Sequence, residues 1–76
     1  MIVDARGHQC PTPTLRLARA MREAAPLTRI TLLATDPMAR IDAPHLAGQV
    51  GATVIGIETL DGVLRITVET PGVPTD

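Results

Sequence analysis

The stretch Gly7-His8-Gln9-Cys10-Pro11-Thr12-Pro13 constrains this chain most, because two prolines bracket one threonine directly after the only cysteine. A proline cannot donate to a strand ladder, but it suits the first turn of a helix. Upstream, Met1 to Ala5 reads as a strand, with Ile2 and Val3 supplying β-branched bulk. Downstream, Thr12 to Ala25 has helical apolar spacing. Cys10 is therefore expected where a strand hands over to a helix.

On a helical wheel Leu17, Ala20, Met21 and Ala24 share one face, with Thr14, Ala18 and Ala25 at its margin. Arg16, Arg19, Arg22 and Glu23 fall opposite, and Pro26 stops the helix or follows its end. Leu15 projects from the charged side. It is either a singly exposed leucine or a contact in a small apolar and basic docking patch beside Cys10. Arg29 to Thr35 contains Ile30-Thr31-Leu32-Leu33-Ala34, a run suited to a strand buried on both faces or nearly so. Asp36-Pro37 ends it. Asp42 reads as the N-cap of a second helix with Ala43 and Pro44 in its first turn and Gly51 as its C-terminal cap. Thr53 to Thr59 and Val63 to Val68 are strand-like, and Asp61-Gly62 between them is a tight-hairpin signal. The order β-α-β-α-β-β predicts an α/β two-layer sandwich, with two helices on one face of a four-stranded mixed sheet. Residues 1–70 form a single domain, and 71–76, with Pro71, Gly72 and Pro74, form a frayed tail.

With 76 residues and no Phe, Tyr or Trp, the core must be built from Ile, Leu, Val, Ala and Met. The net charge of −1 and the absent aromatic stacking platforms argue against direct nucleic-acid binding. A single cysteine excludes an intramolecular disulfide. Apolar runs fall short of a membrane span, and the amino terminus lacks the regions of a signal peptide. A cytoplasmic, monomeric protein without membrane contact is expected.

A thiol at a helix start faces unsatisfied N–H groups and the positive end of the helix dipole, which favour thiolate. The prolines remove two of those donors and leave mainly the N–H groups of Thr12 and Thr14. The dipole effect, about 0.3–1 kcal/mol at exposed sites, then implies a modest pKa depression. Arg6 and Arg16 add positive potential if their side chains point that way. The competing reading of Cys10 is a small buried hydrophobe. His8 is an exposed loop histidine, a proton shuttle or, with Cys10 and the distant His45, part of an incomplete metal site. Arg6, Arg16, Arg19 and Arg22 form either a solvated face or a docking surface for an acidic partner. Asp36, Asp42 and Asp61 read as turn and cap residues. No general base, metal cluster or cofactor loop accompanies Cys10, so neither cofactor nor metal is expected. The chain reads as a stoichiometric relay that depends on partner enzymes. The alternative is a regulatory or redox-responsive interaction module.

Three landmarks together resemble the TusA (SirA-like) family of small sulfur carriers. They are Asp4-Ala5-Arg6-Gly7 leading into Cys10-Pro11-Thr12-Pro13, then Asp36-Pro37 with Asp42-Ala43-Pro44, and finally Asp61-Gly62. The resemblance implies a sulfur carrier in which Cys10 holds sulfane sulfur as a persulfide, with Asp4, Arg6, Gly7, Pro11 and Pro13 as supporting motif residues. Leu15, Arg16, Arg19 and Arg22 are then candidate docking residues. Implied donors are a cysteine desulfurase or a rhodanese-type protein. Implied acceptors serve tRNA thiolation, cofactor sulfuration or sulfur oxidation. The chain departs from the family's better-characterised carrier at Ala47, where that carrier has a further cysteine, at Ala52 in place of a histidine, and at His8 in place of a leucine.

Overall fold

A computed structural model describes residues 1–7 and 12–72, with the backbone alone for 12–14. The elements run β1 (Ile2–Ala5), α1 (Thr12–Glu23), β2 (Arg29–Ala34), α2 (Ala39–Val50), β3 (Thr53–Leu60) and β4 (Val63–Glu69). The sheet order is β1-β2-β4-β3, with β1 parallel to β2 and β4 antiparallel to both of its neighbours. Because β2 and β3 each run against β4, they are parallel to one another. The chain is thus two β-α-β crossovers, the second held open by a slot that the final hairpin strand fills. Both helices cover the same face, burying Leu17 and Met21 of α1 and Ala39, Ala43 and Ala47 of α2 against Ile30, Leu32, Leu64, Ile66 and Val68. This is the expected two-layer α/β sandwich.

The hairpin forms as expected. Leu60 pairs with Val63, and Asp61 and Gly62 both take positive φ, 51° and 77°, the backbone of a two-residue turn that follows the strand twist. β3 also carries a bulge between Val54 and Gly56. The extra residue lets Val54 and Ile57 both pack on the core and leaves Ile55 outside.

Three expectations need correction. β2 is buried on one face only: Ile30, Leu32 and Ala34 are buried while Thr31 and Leu33 are half-buried, since both helices lie on the same side. α1 buries Ala18 and leaves Ala25 beyond its end and exposed. α2 starts at Ala39, with Met38 at the N-cap, so Asp42 lies within its first turn and is not the cap. Asp36 instead organises this start. Its Oδ1 accepts the Met38 N–H at 2.9 Å and its carbonyl accepts the Ala39 N–H at 3.1 Å. Pro44 then falls inside the helix, where it cannot donate to the carbonyl one turn earlier. The C-terminal expectation holds at Gly51, which is left-handed.

At the end of β4, Thr70 is the one buried polar residue among those described. Its Oγ1 accepts the Thr28 N–H at 2.8 Å and donates to the Ala25 carbonyl at 2.8 Å, and its own N–H reaches the Thr28 carbonyl at 2.9 Å. The end of β4 is therefore clamped to the α1–β2 turn. Gly72 lies against Leu27, and residues 73–76, the rest of the expected frayed tail, lie outside the described residues. Thr70→Val keeps the shape and removes both side-chain bonds. It is expected to cost about 1–2 kcal/mol, because the half-buried Thr28 N–H loses its acceptor, while the Ala25 carbonyl keeps the Thr28 hydroxyl at 2.7 Å. Urea unfolding would measure this.

Candidate functional site

Cys10, with His8 and Pro11, lies outside the described residues, and Pro13 is described by its backbone alone. The frame on either side is described. β1 delivers the chain to Asp4 and Ala5 in the sheet, the turn at Arg6-Gly7 leaves it, and the chain re-enters regular structure at Thr12.

Asp4 holds that turn. Its Oδ1 accepts the backbone N–H of Arg6 at 3.1 Å and the Arg6 Nε at 2.9 Å, while Oδ2 takes Nη2 at 2.8 Å. One carboxylate thus binds a residue two positions on through both backbone and guanidinium, a charge-assisted Asx turn. The Arg6 guanidinium, then its backbone N–H, and further the charges of Arg6 and Arg16 hold the Asp4 carboxyl at about 2, below its ordinary 3.8. Gly7, at φ +84°, follows in a backbone conformation that side chains disfavour. Its N–H donates to Thr35 Oγ1 at 2.9 Å. The departure towards Cys10 is therefore pinned from β1 by Asp4 and from the end of β2 by Thr35. Thr35 carries no local sequence signal; its partner is 28 residues away.

The other candidate residues lie along α1. Arg16 reaches back to β1 and donates Nη1 to the Asp4 carbonyl at 2.9 Å. Arg19 pairs with Glu23 one turn on at 3.1 Å, in an exposed geometry. Leu15 is 62% exposed, and Arg22 is exposed as well. The structure thus brings Asp4, Arg6, Gly7 and Arg16 together, and spreads Leu15, Arg19 and Arg22 along the outer surface of the helix. Among the described residues no three metal-ligating side chains converge. No described helix is long and apolar enough to cross a membrane.

Residues 1–70 match the family model described as sulfurtransferase TusA. The chain belongs to the TusA family. A candidate sulfur carrier protein of Archaeoglobus fulgidus is 41% identical over 68 residues, 88% of each chain. The sulfur carrier protein TusA of Pseudomonas aeruginosa is 35% identical over 54 residues, covering 71% of this chain and 68% of the relative. The crystal structure of a SirA-like protein from Desulfitobacterium hafniense superposes with a TM-score of 0.82 at 27% identity, over 93% of this chain and 99% of that one.

Within the TusA frame, Ala47 lies fully buried on the sheet-facing side of α2. The lowered Asp4 pKa has a consequence for stability. A carboxyl whose pKa falls on folding stabilises the native state above its unfolded value, and that contribution is lost as pH drops towards the folded value. The wild type should therefore lose stability between about pH 4 and pH 2 through this group, and Asp4→Asn should flatten that part of the profile. Thermal melts across this range, with direct titration of the Asp4 carboxyl by NMR, check it.

Proposed function

We propose that this protein is a sulfur carrier and that Cys10 is the atom-bearing residue, holding sulfane sulfur as a persulfide between a donor and an acceptor protein. The family match across residues 1–70, with Cys10-Pro11-Thr12-Pro13 directly after the Asp4–Arg6 turn, carries this reading.

In loading, the Cys10 thiolate attacks the terminal sulfur of a donor persulfide. A new sulfur–sulfur bond forms on Cys10, the donor's own sulfur–sulfur bond breaks, and the donor cysteine leaves as thiolate. In unloading, an acceptor nucleophile attacks the terminal sulfur and Cys10 leaves as thiolate. Neither step needs an external oxidant or a bound cofactor. Thiolate is both the attacking and the leaving form, so a strongly depressed pKa would help unloading and slow attack. A modest depression suits a carrier that must do both. The donor is a cysteine desulfurase or a rhodanese-type enzyme, and the exposed Leu15 with Arg16, Arg19 and Arg22 forms part of the surface it meets.

Mass spectrometry after incubation with a desulfurase and cysteine tests the assignment. Wild type is expected to gain about 32 Da, reversible by thiol reductant, and Cys10→Ser to gain nothing. No gain on wild type with desulfurase or rhodanese donors, or an equal gain on the serine variant, would overturn it.

A further inference from the structure

β1 is an edge strand: it pairs with β2 and, among the described residues, has no strand on its other side. The Met1 carbonyl accepts the Thr31 N–H at 2.9 Å, and the parallel register Ile2↔Thr31, Val3↔Leu32 turns the backbone groups of Met1, Val3 and Ala5 towards β2. Those of Ile2 and Asp4 consequently face outward. Between this outer edge and α1 runs an open groove of about 340 Å³, lined by Ile2 and Asp4 on the strand side and by Arg16, Arg19, Ala20 and Glu23 on the helix side.

The two strand residues differ. The Asp4 carbonyl is already taken by Arg16 Nη1, whereas the outward N–H and carbonyl of Ile2 meet no partner among the described residues, and Ile2 is 64% exposed. Of the charged residues that line the groove, Asp4 is ion-paired with Arg6 and Glu23 with Arg19, which leaves Arg16, among the described residues, as the lining charge without an ion pair of its own. Arg16 has five N–H donors and is anchored to the groove wall by one of them, so its fork is held in place with capacity to spare.

We propose that this groove is a strand-addition site for an extended, acidic segment of a protein partner. Such a segment pairs with the outward backbone groups of Ile2 as a fifth strand, rests apolar side chains on Ile2 and Ala20, and places a carboxylate on Arg16. An open edge by itself accepts any extended chain, and many folds guard against this. Here the guard is a cation, which repels basic segments and recruits acidic ones. In sequence the strand leads, through Arg6 and Gly7, into the segment that carries Cys10. The proposal does not depend on the sulfur chemistry: Cys10 can fail to load while the groove binds, and the reverse.

The test is an NMR titration of isotope-labelled full-length protein with a short capped peptide of alternating Val and Glu. The amides of Ile2 and Asp4 are expected to shift most. Two control peptides leave the protein untouched: one with Lys in place of Glu, and one N-methylated at alternate residues. Each should bind about tenfold more weakly, the first from reversed charge pairs and the second from lost ladder bonds. Arg16→Gln should weaken the acidic peptide several-fold while the same amides still report binding. The proposal is overturned if there is no binding, if the largest shifts lie on the exposed side of α1 or on the open sheet face, or if the Lys peptide binds equally well.

Discussion

Ile66→Ala is expected to remove a large part of the protein's stability. Ile66 is fully buried at the middle of β4, opposite Leu32 of β2 on one side and Ile57 of β3 on the other. Truncation costs the lost transfer energy plus a cavity term, together about 2–5 kcal/mol at well-packed sites. A domain of this size has on the order of 4–11 kcal/mol to lose. No aromatic side chain is available to swing into the gap, since the chain contains none. Urea unfolding should show the midpoint fall by at least about 1 M with an unchanged slope. Ile55→Ala supplies the contrast. Ile55 belongs to the same hairpin but stands outside the core at the bulge, 44% exposed, and should change stability by less than about 1 kcal/mol. Equal losses for the two variants would mean that the bulge does not exist in solution.

That pair also shows how far the sequence could be read. Element order, the Asp61-Gly62 turn and the one-sided packing of α1 follow from periodicity and turn chemistry, which act over a few residues. The bulge does not. Thr53 to Thr59 alternates cleanly, and strict alternation puts Ile55 and Ile57 on one face, whereas the register against β4 separates them. Similarly, Asp42 and Asp36 are both plausible cap residues on local grounds. Asp36 prevails because its carboxylate and carbonyl engage the next turn together, which moves the helix start forward. Thr35 and Thr70 are invisible to local reasoning because their partners lie 28 and 45 residues away. The sequence offers the candidate site as a motif with Asp4 and Arg6 just before it, and the structure adds that these two pair with one another. That the Arg16 side chain turns back to the β1 backbone had no sequence signature.

Ala43→Leu should be almost as damaging as the loss of Ile66, for the opposite reason. The buried positions of α2 are Ala39, Ala43 and Ala47, each fully enclosed and four residues apart, so one ridge of methyl groups lies on the sheet. The large apolar residue early in this helix, Ile41, points away and is 63% exposed. Leu46 and Val50 pack half-buried beside that ridge, so the apolar side of the helix faces the sheet and Ile41 stands alone on the other side. Steric fit then sets the sizes along the ridge: small side chains let the helix backbone approach β3 and β4 closely, and the close approach leaves no room for a larger one. A leucine at position 43 must therefore lift α2 or strain its neighbours, at a cost of about 1–3 kcal/mol. For a domain this small that corresponds to a fall in melting temperature of roughly 10 °C. Ile41→Ala, on the exposed side, should stay within about 0.5 kcal/mol of wild type. Calorimetry on the two variants measures both effects. If Ala43→Leu were neutral and Ile41→Ala costly, α2 would be rotated about its axis. Asp36 and the start of α2 directly follow Thr35, which holds Gly7. Lifting the helix therefore pulls on one of the two anchors of the segment leading to Cys10, and on the proposed carrier role the leucine variant should slow sulfur loading at temperatures where it is still folded.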